Sequence, residues 1–490
     1  MRLSKLIPGT DPRRDPTITG LTADSRQVRP GYLFAALPGH QADGRNFIPD
    51  AVARGAVAVL TAPRPQLAAR CGDALLIEDR NPRRRLAQMA AAFHGAQPAV
   101  MVAVTGTNGK TSVVEGCRQI WRRLGMNAAS MGTLGTVRAD GDGGGSLTTP
   151  DPVTLHDTLA TLAADGCDHL AIEASSHGLD QYRLDGIALV AAAFTNLSQD
   201  HLDYHGDMDG YMRAKTRLFT EILPREGTAV LNRDSHHFQG LVDLAVERGQ
   251  KIVSFGRQAA ADLCLEAAVP GPSGQEIAVR TAYGHYHIHL PLIGEFQAHN
   301  AIAAAALTIA AGADEAAVID SLTALVGAPG RLQLVARSAQ GAAILVDYAH
   351  TPDALATMLN AIRPHVAGRL AVVFGCGGDR DPGKRPMMGA AATDHADLVW
   401  LTDDNPRGED PATIRAAARA GCPQATEIGD RAEAIAAAIA ALGPDDLLVV
   451  AGKGHEPGQI VGDRVLPFDD SKVARAAAIA GGGCAVGVAA

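Results

Sequence analysis

The sequence predicts an α/β protein built from three successive domains. Short apolar runs rich in β-branched residues alternate with helical patterns over most of the chain, as in sheets covered on both faces. Two breaker clusters, Gly95-Ala96-Gln97-Pro98 and Gly327-Ala328-Pro329-Gly330, interrupt that alternation. The 490 residues also exceed what a single hydrophobic core supports. The blocks so delimited are residues 1–97, 98–329 and 330–490.

In the first block, 32–37 and 57–60 read as short strands, and 83–94 carries a helical apolar pattern. The second block opens on an apolar run at 99–105, then a glycine-bearing loop, then a helical pattern at 111–124. Further buried strands are expected at 169–173, 190–196, 229–231 and 252–255. The third block repeats the alternation. Strands are expected at 343–346, 370–374, 398–401 and 447–450, and helices at 352–362, 411–418 and 432–442. This is a Rossmann-like pattern, although Gly375-Cys376-Gly377-Gly378 is a poor dinucleotide fingerprint. The Gly/Ala-rich stretch 481–490 reads as a frayed end.

Composition narrows the function classes. The apolar fraction is 47%, the charged fraction 20% and the net charge -9. A weakly acidic chain carries no general electrostatic footprint for nucleic acid or an anionic membrane. Residues 1–10 lack the apolar stretch of a signal peptide, and no apolar run is long enough to cross a bilayer. The seven cysteines are scattered without a CxxC pair, which predicts free, buried thiols in a reducing cytoplasm.

The strongest local signal is Gly106-Thr107-Asn108-Gly109-Lys110-Thr111-Ser112, between an expected strand and an expected helix. Glycines let the backbone wrap an anion, and helix N-terminal N–H groups point at it. Lys110 supplies a point charge for the β- and γ-phosphates, and the Thr111 hydroxyl a ligand for Mg²⁺. The general phosphate-loop pattern is GxxxxGK[ST], whereas the spacing here is GxxGKT.

Thr105-Gly106-Thr107-Asn108-Gly109-Lys110-Thr111-Ser112 resembles the ATP loop of the Mur ligases and of the related folylpolyglutamate synthetases. The resemblance continues, motif by motif and in order, over nearly the whole chain. It implies an N-terminal UDP-binding domain, a central ATPase-like domain and a C-terminal Rossmann-like domain that takes the incoming amino acid and closes over ATP. It also implies an ATP- and Mg²⁺-dependent ligase that activates a carboxylate as an acyl phosphate and lets an amine attack it, in cytoplasmic peptidoglycan precursor synthesis. A monomer is the expected state.

The same resemblance assigns residues. Glu173, in Glu173-Ala174-Ser175-Ser176-His177, His201, in Asp200-His201-Leu202-Asp203, and a carbamylated Lys215 would hold a second Mg²⁺. Mg²⁺ prefers oxygen ligands, so the role of His201 rests on the resemblance. Read alone, His201 is a loop histidine and Lys215 a solvated lysine on an amphipathic helix. Ser25, His40, Gln41 and Ala42 would touch the UDP part of a UDP-muramyl-dipeptide, and Thr148, Thr149, Ser175, Gln181 and Arg183 its muramyl-dipeptide part. Thr148-Thr149-Pro150-Asp151 by itself reads as a helix start with Thr149 as cap and Pro150 in the first turn. Asn300, Arg331 and Asp347 would serve the nucleotide. Gln297 stands where the family usually has Asn.

Asp404-Asn405-Pro406-Arg407 resembles the segment that marks the ligases adding meso-diaminopimelate. Alone it reads as a type I turn. A guanidinium takes a carboxylate through two parallel charge-assisted hydrogen bonds. Diaminopimelate carries a distal carboxylate and lysine does not, so lysine would leave Arg407 unpaired. Arg385 would hold a carboxylate of the same amino acid, and Gly452 and Glu456 its ammonium group. The alternatives are a relative adding L-lysine or another amino acid, a folate polyglutamate ligase, or a catalytically silent nucleotide-binding regulator. Arg407 argues against the first, and Asp24-Ser25-Arg26 with the segment 40–44 against the second. Lys110, Glu173, His201 and Lys215 together argue against the third.

Overall fold

The structure, a computed structural model, describes the chain except for Thr10, His40, Gln41, Pro65, Gln66 and residues 139–141, 144–146 and 487–490. Contacts divide it into two compact units. The first holds Met1–Lys110, Trp121–Ser254 and Leu307–Ala313, and the second the remaining segments, chiefly Phe255–Ala306 and Asp314–Ala490.

The first unit begins with a four-stranded parallel sheet in the order β1 (Gly20–Thr22), β2 (Tyr32–Ala35), β3 (Ala58–Thr61), β4 (Leu75–Glu78). The helix Pro82–His94 follows. Asn81 caps it, Pro82 opens its first turn, and Leu86, Met89 and Ala90 lie on its buried side.

The larger sheet of this unit comprises β5 (Val100–Thr105), β6 (Ala128–Gly132), β7 (Gly135–Val137), β8 (Asp142–Gly143), β9 (His169–Glu173), β10 (Ala191–Phe194), β11 (Thr228–Asn232) and β12 (Lys251–Gly256). Its spatial order is β12-β11-β10-β5-β9-β6-β7-β8. Strands β10, β5, β9 and β6 run parallel, and their carboxyl ends lie at one edge. A core of Met101, Ala103, Leu170, Ile172, Phe194 and Leu231 fills the space against the covering helices. Strands buried on both faces read as unbroken apolar runs, which is why β5, β9 and β10 stood out in the sequence.

The second unit contains an antiparallel meander of β13 (Leu263–Gly271), β14 (Gly274–Arg280) and β15 (His285–Leu290). It also holds a seven-stranded sheet. Its strands are β16 (Gln333–Arg337), β17 (Ala343–Asp347), β18 (Leu370–Cys376), β19 (Leu398–Asp403), β20 (Thr426–Glu427), β21 (Leu447–Ala451) and β24 (Cys484–Ala485). A separate hairpin joins β22 (Gly458–Val461) to β23 (Arg464–Pro467). The sheet order is β20-β19-β18-β21-β17-β16-β24, parallel from β20 to β17. Strand order therefore reverses around β18 and β21, and ligand crevices of open α/β sheets form outside the carboxyl ends at such points.

Three expectations need correction. The helix after Pro150 begins two residues later than expected: Asp151 is the cap, accepting from the N–H groups of Val153 and Thr154, and Pro152 is the first residue. The repeated Thr-Pro-Asp-Pro spelling satisfies the start pattern twice, and Thr149 is taken by other partners. The tail is not wholly frayed, because Cys484 and Ala485 pair antiparallel with Arg337 and Ala336. Cys484 is accordingly exposed at a sheet edge, while Cys71, Cys117, Cys167, Cys264 and Cys422 are buried thiols. No helix among the described residues is long and apolar enough to cross a membrane.

Candidate active site

At the carboxyl edge of the first unit's sheet, the loop after β5 is held by the segment that follows β10. Thr107 N–H donates to the Asn196 carbonyl at 2.9 Å, and Asn108 N–H to Asn196 Oδ1 at 2.9 Å. Thr195 Oγ1 donates to the Asn108 carbonyl at 2.6 Å. A Cβ on Gly106 would stand 1.9 Å from Thr195 Oγ1, so only glycine fits there. The loop ends at the helix Lys110–Arg123, whose first turn carries Lys110 and Thr111.

Two lysines converge on this loop. Lys110 Nζ donates to the carbonyls of Gly106 at 2.9 Å and Thr107 at 2.8 Å. Lys215 Nζ donates to the same Gly106 carbonyl at 2.7 Å. Lys215 is 1% exposed, which overturns its solitary reading as a surface lysine. Burial, and next the charge of Lys110, pull its amine down to a pKa of about 6. The Tyr211 ring lies 4.3 Å from Nζ and favours the ammonium, but burial is the larger effect.

Glu173 ends β9 and is buried. Its carboxylate accepts from Thr133 N–H at 2.8 Å and Thr133 Oγ1 at 3.3 Å. A Cβ on Gly132 would meet Glu173 Oε1 at 2.1 Å. His201 has left-handed backbone, with φ 53°, and its half-exposed ring lies edge-on to His177 with centroids 4.8 Å apart.

A hydrogen-bonded chain links the residues assigned to the muramyl-dipeptide. Thr149 Oγ1 donates to the Glu173 carbonyl at 2.9 Å and receives Ser175 N–H at 3.1 Å and Ser175 Oγ at 3.0 Å. Arg183 donates to the Thr149 carbonyl at 2.7 Å and to Gln181 Oε1 at 2.8 Å. Gln181 Nε2 donates to Tyr204 Oη at 3.1 Å, and Tyr204 donates to Asp180 at 2.8 Å. Gln181, Asp180 and Tyr204 line a cavity of about 480 Å³ with Arg83, Pro38 and Gly39. Thr148 contributes its hydroxyl 3.1 Å from that of Thr133. Ser25 is half-buried in a 3₁₀ turn capped by Asp24, and Ala42 is exposed, its carbonyl accepting from Gly39 N–H. His40 and Gln41 lie outside the described residues.

In the second unit, Asp347 ends β17 and accepts the N–H groups of Leu332 and Ala349, each at 2.8 Å. Burial raises its pKa. The Arg331 guanidinium lies 4.6 Å over the Tyr348 ring. Gln297 is buried. It donates to the Arg331 carbonyl at 3.0 Å and accepts from Asn300 at 3.2 Å.

The loops after β18, β19 and β21 assemble the residues expected to choose the amino acid. Asp404, Asn405 and Pro406 are buried and Arg407 half-buried, with φ 52°. Arg407 Nη1 donates to the Gly378 carbonyl at 2.8 Å, and its Nη2 and Nε make no hydrogen bond among the described residues. A Cβ on Gly378 would stand 1.9 Å from the Pro406 carbonyl, and one on Gly377 would stand 2.8 Å from Arg407 Nη1. The glycines after β18 therefore seat the 404–407 loop, a function that a search for dinucleotide fingerprints misses. Arg385 is buried and pairs with Glu409 at 2.7 Å. Gly452 has φ 116°, and its missing Cβ would meet Asp404 Oδ2 at 2.8 Å. Glu456 accepts from Asn405 Nδ2 at 3.1 Å. Glu409 and Tyr204 fall in no motif of the sequence, and Lys453 falls inside Gly452-Lys453-Gly454-His455-Glu456, which assigns it no role.

The first unit thus carries a glycine-bearing loop on which two lysines converge, and the second a cluster of strand-end loops holding Arg385 and Arg407. The profile described as the Mur ligase family catalytic domain matches residues 17–94. The Mur ligase middle domain matches 104–308, and the Mur ligase glutamate ligase domain 330–454. The chain belongs to the Mur ligase family.

Among its relatives is the UDP-N-acetylmuramoyl-L-alanyl-D-glutamate–2,6-diaminopimelate ligase of Caulobacter vibrioides, 54% identical over 93% of this chain and 94% of the relative. The enzyme of the same name from Bradyrhizobium diazoefficiens is 51% identical over 97% and 99%. A solved structure carrying that name superposes with a TM-score of 0.74 at 36% identity, over 98% of this chain and 99% of the other. The folylpolyglutamate synthase of Mycobacterium tuberculosis, solved with ADP, shares the fold, with a TM-score of 0.59 at 20% identity over 76% of this chain and 91% of the other.

Proposed function

We propose that this protein is an ATP-dependent ligase that joins meso-diaminopimelate to the D-Glu γ-carboxylate of UDP-N-acetylmuramoyl-L-alanyl-D-glutamate. The observation that carries the choice of amino acid is Arg407. It sits at the carboxyl edge of the second unit's sheet with part of its fork uncommitted. The Asn405 carbonyl lies 3.4 Å from its Nη1, Asn405 Nδ2 in turn donates to Glu456, and relatives about half identical over nearly their whole length carry that activity in their names.

The reaction follows from the residues in order. The amino end of the helix Lys110–Arg123, with the Lys110 side chain, binds the β- and γ-phosphates of ATP. Gln181, Arg183, Thr149 and Ser175 orient the muramyl-dipeptide so that its γ-carboxylate attacks the γ-phosphorus, releasing ADP and leaving an acyl phosphate. Arg407 and Arg385 take carboxylates of diaminopimelate, and Glu456 an ammonium group. The free amine then attacks the acyl carbon, and inorganic phosphate leaves from the tetrahedral intermediate. No covalent enzyme intermediate is required. Asn300, Arg331 and Asp347 are assigned to the nucleotide.

The donor set fits Mg²⁺ on one condition. Among the described residues no group of three His, Cys, Asp or Glu side chains could hold a metal. Glu173 offers a buried carboxylate, and an ammonium at Lys215 would repel a cation. A pKa of about 6 keeps the Lys215 amine neutral near pH 7, the form that adds CO₂. The resulting carbamate supplies the oxygen that Mg²⁺ prefers. Thr111 would hold the metal of the nucleotide, and Glu173, His201 and carbamylated Lys215 a second one. Bound Mg²⁺ would neutralise charge on the phosphoryl group in transfer.

Phosphate release with ATP, Mg²⁺ and UDP-N-acetylmuramoyl-L-alanyl-D-glutamate tests the reading. Release that requires meso-diaminopimelate and is not supported by L-lysine is expected. Release with L-lysine alone would discard the assignment to Arg407, and no release with any amino acid would discard the ligase.

A further inference from the structure

Lys453 follows Gly452 at the end of β21 and is 0% exposed. A lysine is almost never fully buried unless paired, because desolvating an ammonium is costly. Its Nζ has two partners, Asn405 Oδ1 at 3.0 Å and Glu456 Oε2 at 3.3 Å. Both are side chains assigned above to the incoming amino acid. Among the described residues Lys453 Nζ bonds no main-chain carbonyl.

The three side chains close a ring. Asn405 Oδ1 also accepts Ile460 N–H at 2.9 Å, so two donors fix its amide with the NH₂ group towards Glu456. That group donates to Glu456 Oε2 at 3.1 Å. Two donors therefore hold one oxygen of the Glu456 carboxylate. The other, Oε1, accepts no hydrogen bond from the described residues, and the side chain is 36% exposed. Rotation of the carboxylate would break both bonds, which leaves Oε1 as its uncommitted oxygen among the described residues.

We infer that Lys453 is a positioning residue for the acceptor amino acid: through Asn405 and Glu456 it sets the one carboxylate oxygen that receives the acceptor's ammonium group. The inference rests on the ligase reading above. It does not place Lys453 in contact with substrate.

The test is a double-mutant cycle on the full-length enzyme with Lys453→Met and Glu456→Gln, following KM for each substrate. Lys453→Met should raise KM for meso-diaminopimelate by about 10- to 100-fold, the scale of a lost charge-assisted hydrogen bond. KM for ATP and for the UDP-muramyl-dipeptide should hold, as should acyl phosphate formation trapped without amino acid. The double variant should be no worse than Glu456→Gln alone, because Lys453 acts through that carboxylate. Lys453→Gln keeps one donor and should fall between wild type and Lys453→Met, which preserves the test if the Met variant does not melt cooperatively. An unchanged KM for diaminopimelate, a parallel rise in all three KM values, or multiplicative losses in the double variant would each overturn the inference. Wild-type enzyme without amino-acid-dependent turnover would overturn the ligase reading and the inference together.

Discussion

Lys110 and Lys215 donate to one oxygen atom, the Gly106 carbonyl, over 2.9 and 2.7 Å. Two ammonium groups that close repel, and the more buried of the two yields its proton more easily. Lys215 is therefore poised as a neutral amine at about pH 7.

That state makes stability depend on pH in a stated direction. The folded pKa of Lys215 is about 6, below its ordinary value of 10.5. Between those values the unfolded chain binds a proton that the folded chain does not, so folding stability rises with pH across the window. It falls as pH drops towards 6, and below 6 the contribution is gone. In CO₂-free buffer without Mg²⁺, the melting temperature of wild type relative to Lys215→Met should climb from pH 6 to pH 9. A difference that stays flat would contradict the shifted amine.

The fork of Arg407 sets the choice of amino acid. Arg407→Ala should lower kcat/KM for meso-diaminopimelate by about two to three orders of magnitude, because the distal carboxylate loses a charged partner. Any trace turnover with L-lysine should not fall. Steady-state kinetics with both amino acids decides this. Equal losses for both would show that Arg407 supports the loop and does not read the substrate.

Gly378 should tolerate no side chain. Its added Cβ would stand 1.9 Å from the Pro406 carbonyl, backbone that cannot step aside cheaply. Gly378→Ala should raise KM for diaminopimelate about tenfold or more through displacement of the 404–407 loop. ATP binding, followed by calorimetry, should be retained.

Tyr204 holds Gln181 through its hydroxyl and is itself held by Asp180. Tyr204→Phe should raise KM for the UDP-muramyl-dipeptide about two- to tenfold, the range of one neutral hydrogen bond. KM for diaminopimelate should stay put. A rise in the latter alone would contradict the assignment of Gln181.

Most of the parallel scaffold was legible in the sequence because strands buried on both faces announce themselves as apolar runs. β9 and the helix Pro352–Ile362 have the boundaries that the pattern predicts. The meander β13–β15 was not legible: its strands mix exposed and buried positions, as in the alternating exposure of His285–Leu290. The spelling of the phosphate loop stood out between its strand and helix, whereas the 404–407 loop, alone a type I turn, was marked only by the resemblance. The burial of Lys215 and the contacts of Lys453 and Tyr204 were not legible, since burial and partners arise only from contacts far along the chain. Lys215 meets Gly106 across 109 positions, and Lys453 meets Asn405 across 48. Gln297 looked like a departure in sequence. In the fold it donates to the Arg331 carbonyl.

The proposed reaction is amide-bond formation with diaminopimelate. Its most direct test is a competition: ATP, Mg²⁺ and UDP-N-acetylmuramoyl-L-alanyl-D-glutamate with equimolar meso-diaminopimelate and L-lysine, the products separated and weighed by mass spectrometry. A single UDP-muramyl-tripeptide carrying diaminopimelate, formed one for one with ADP and phosphate, is the predicted result. A tripeptide carrying lysine, or ATP hydrolysis with no tripeptide, would contradict it.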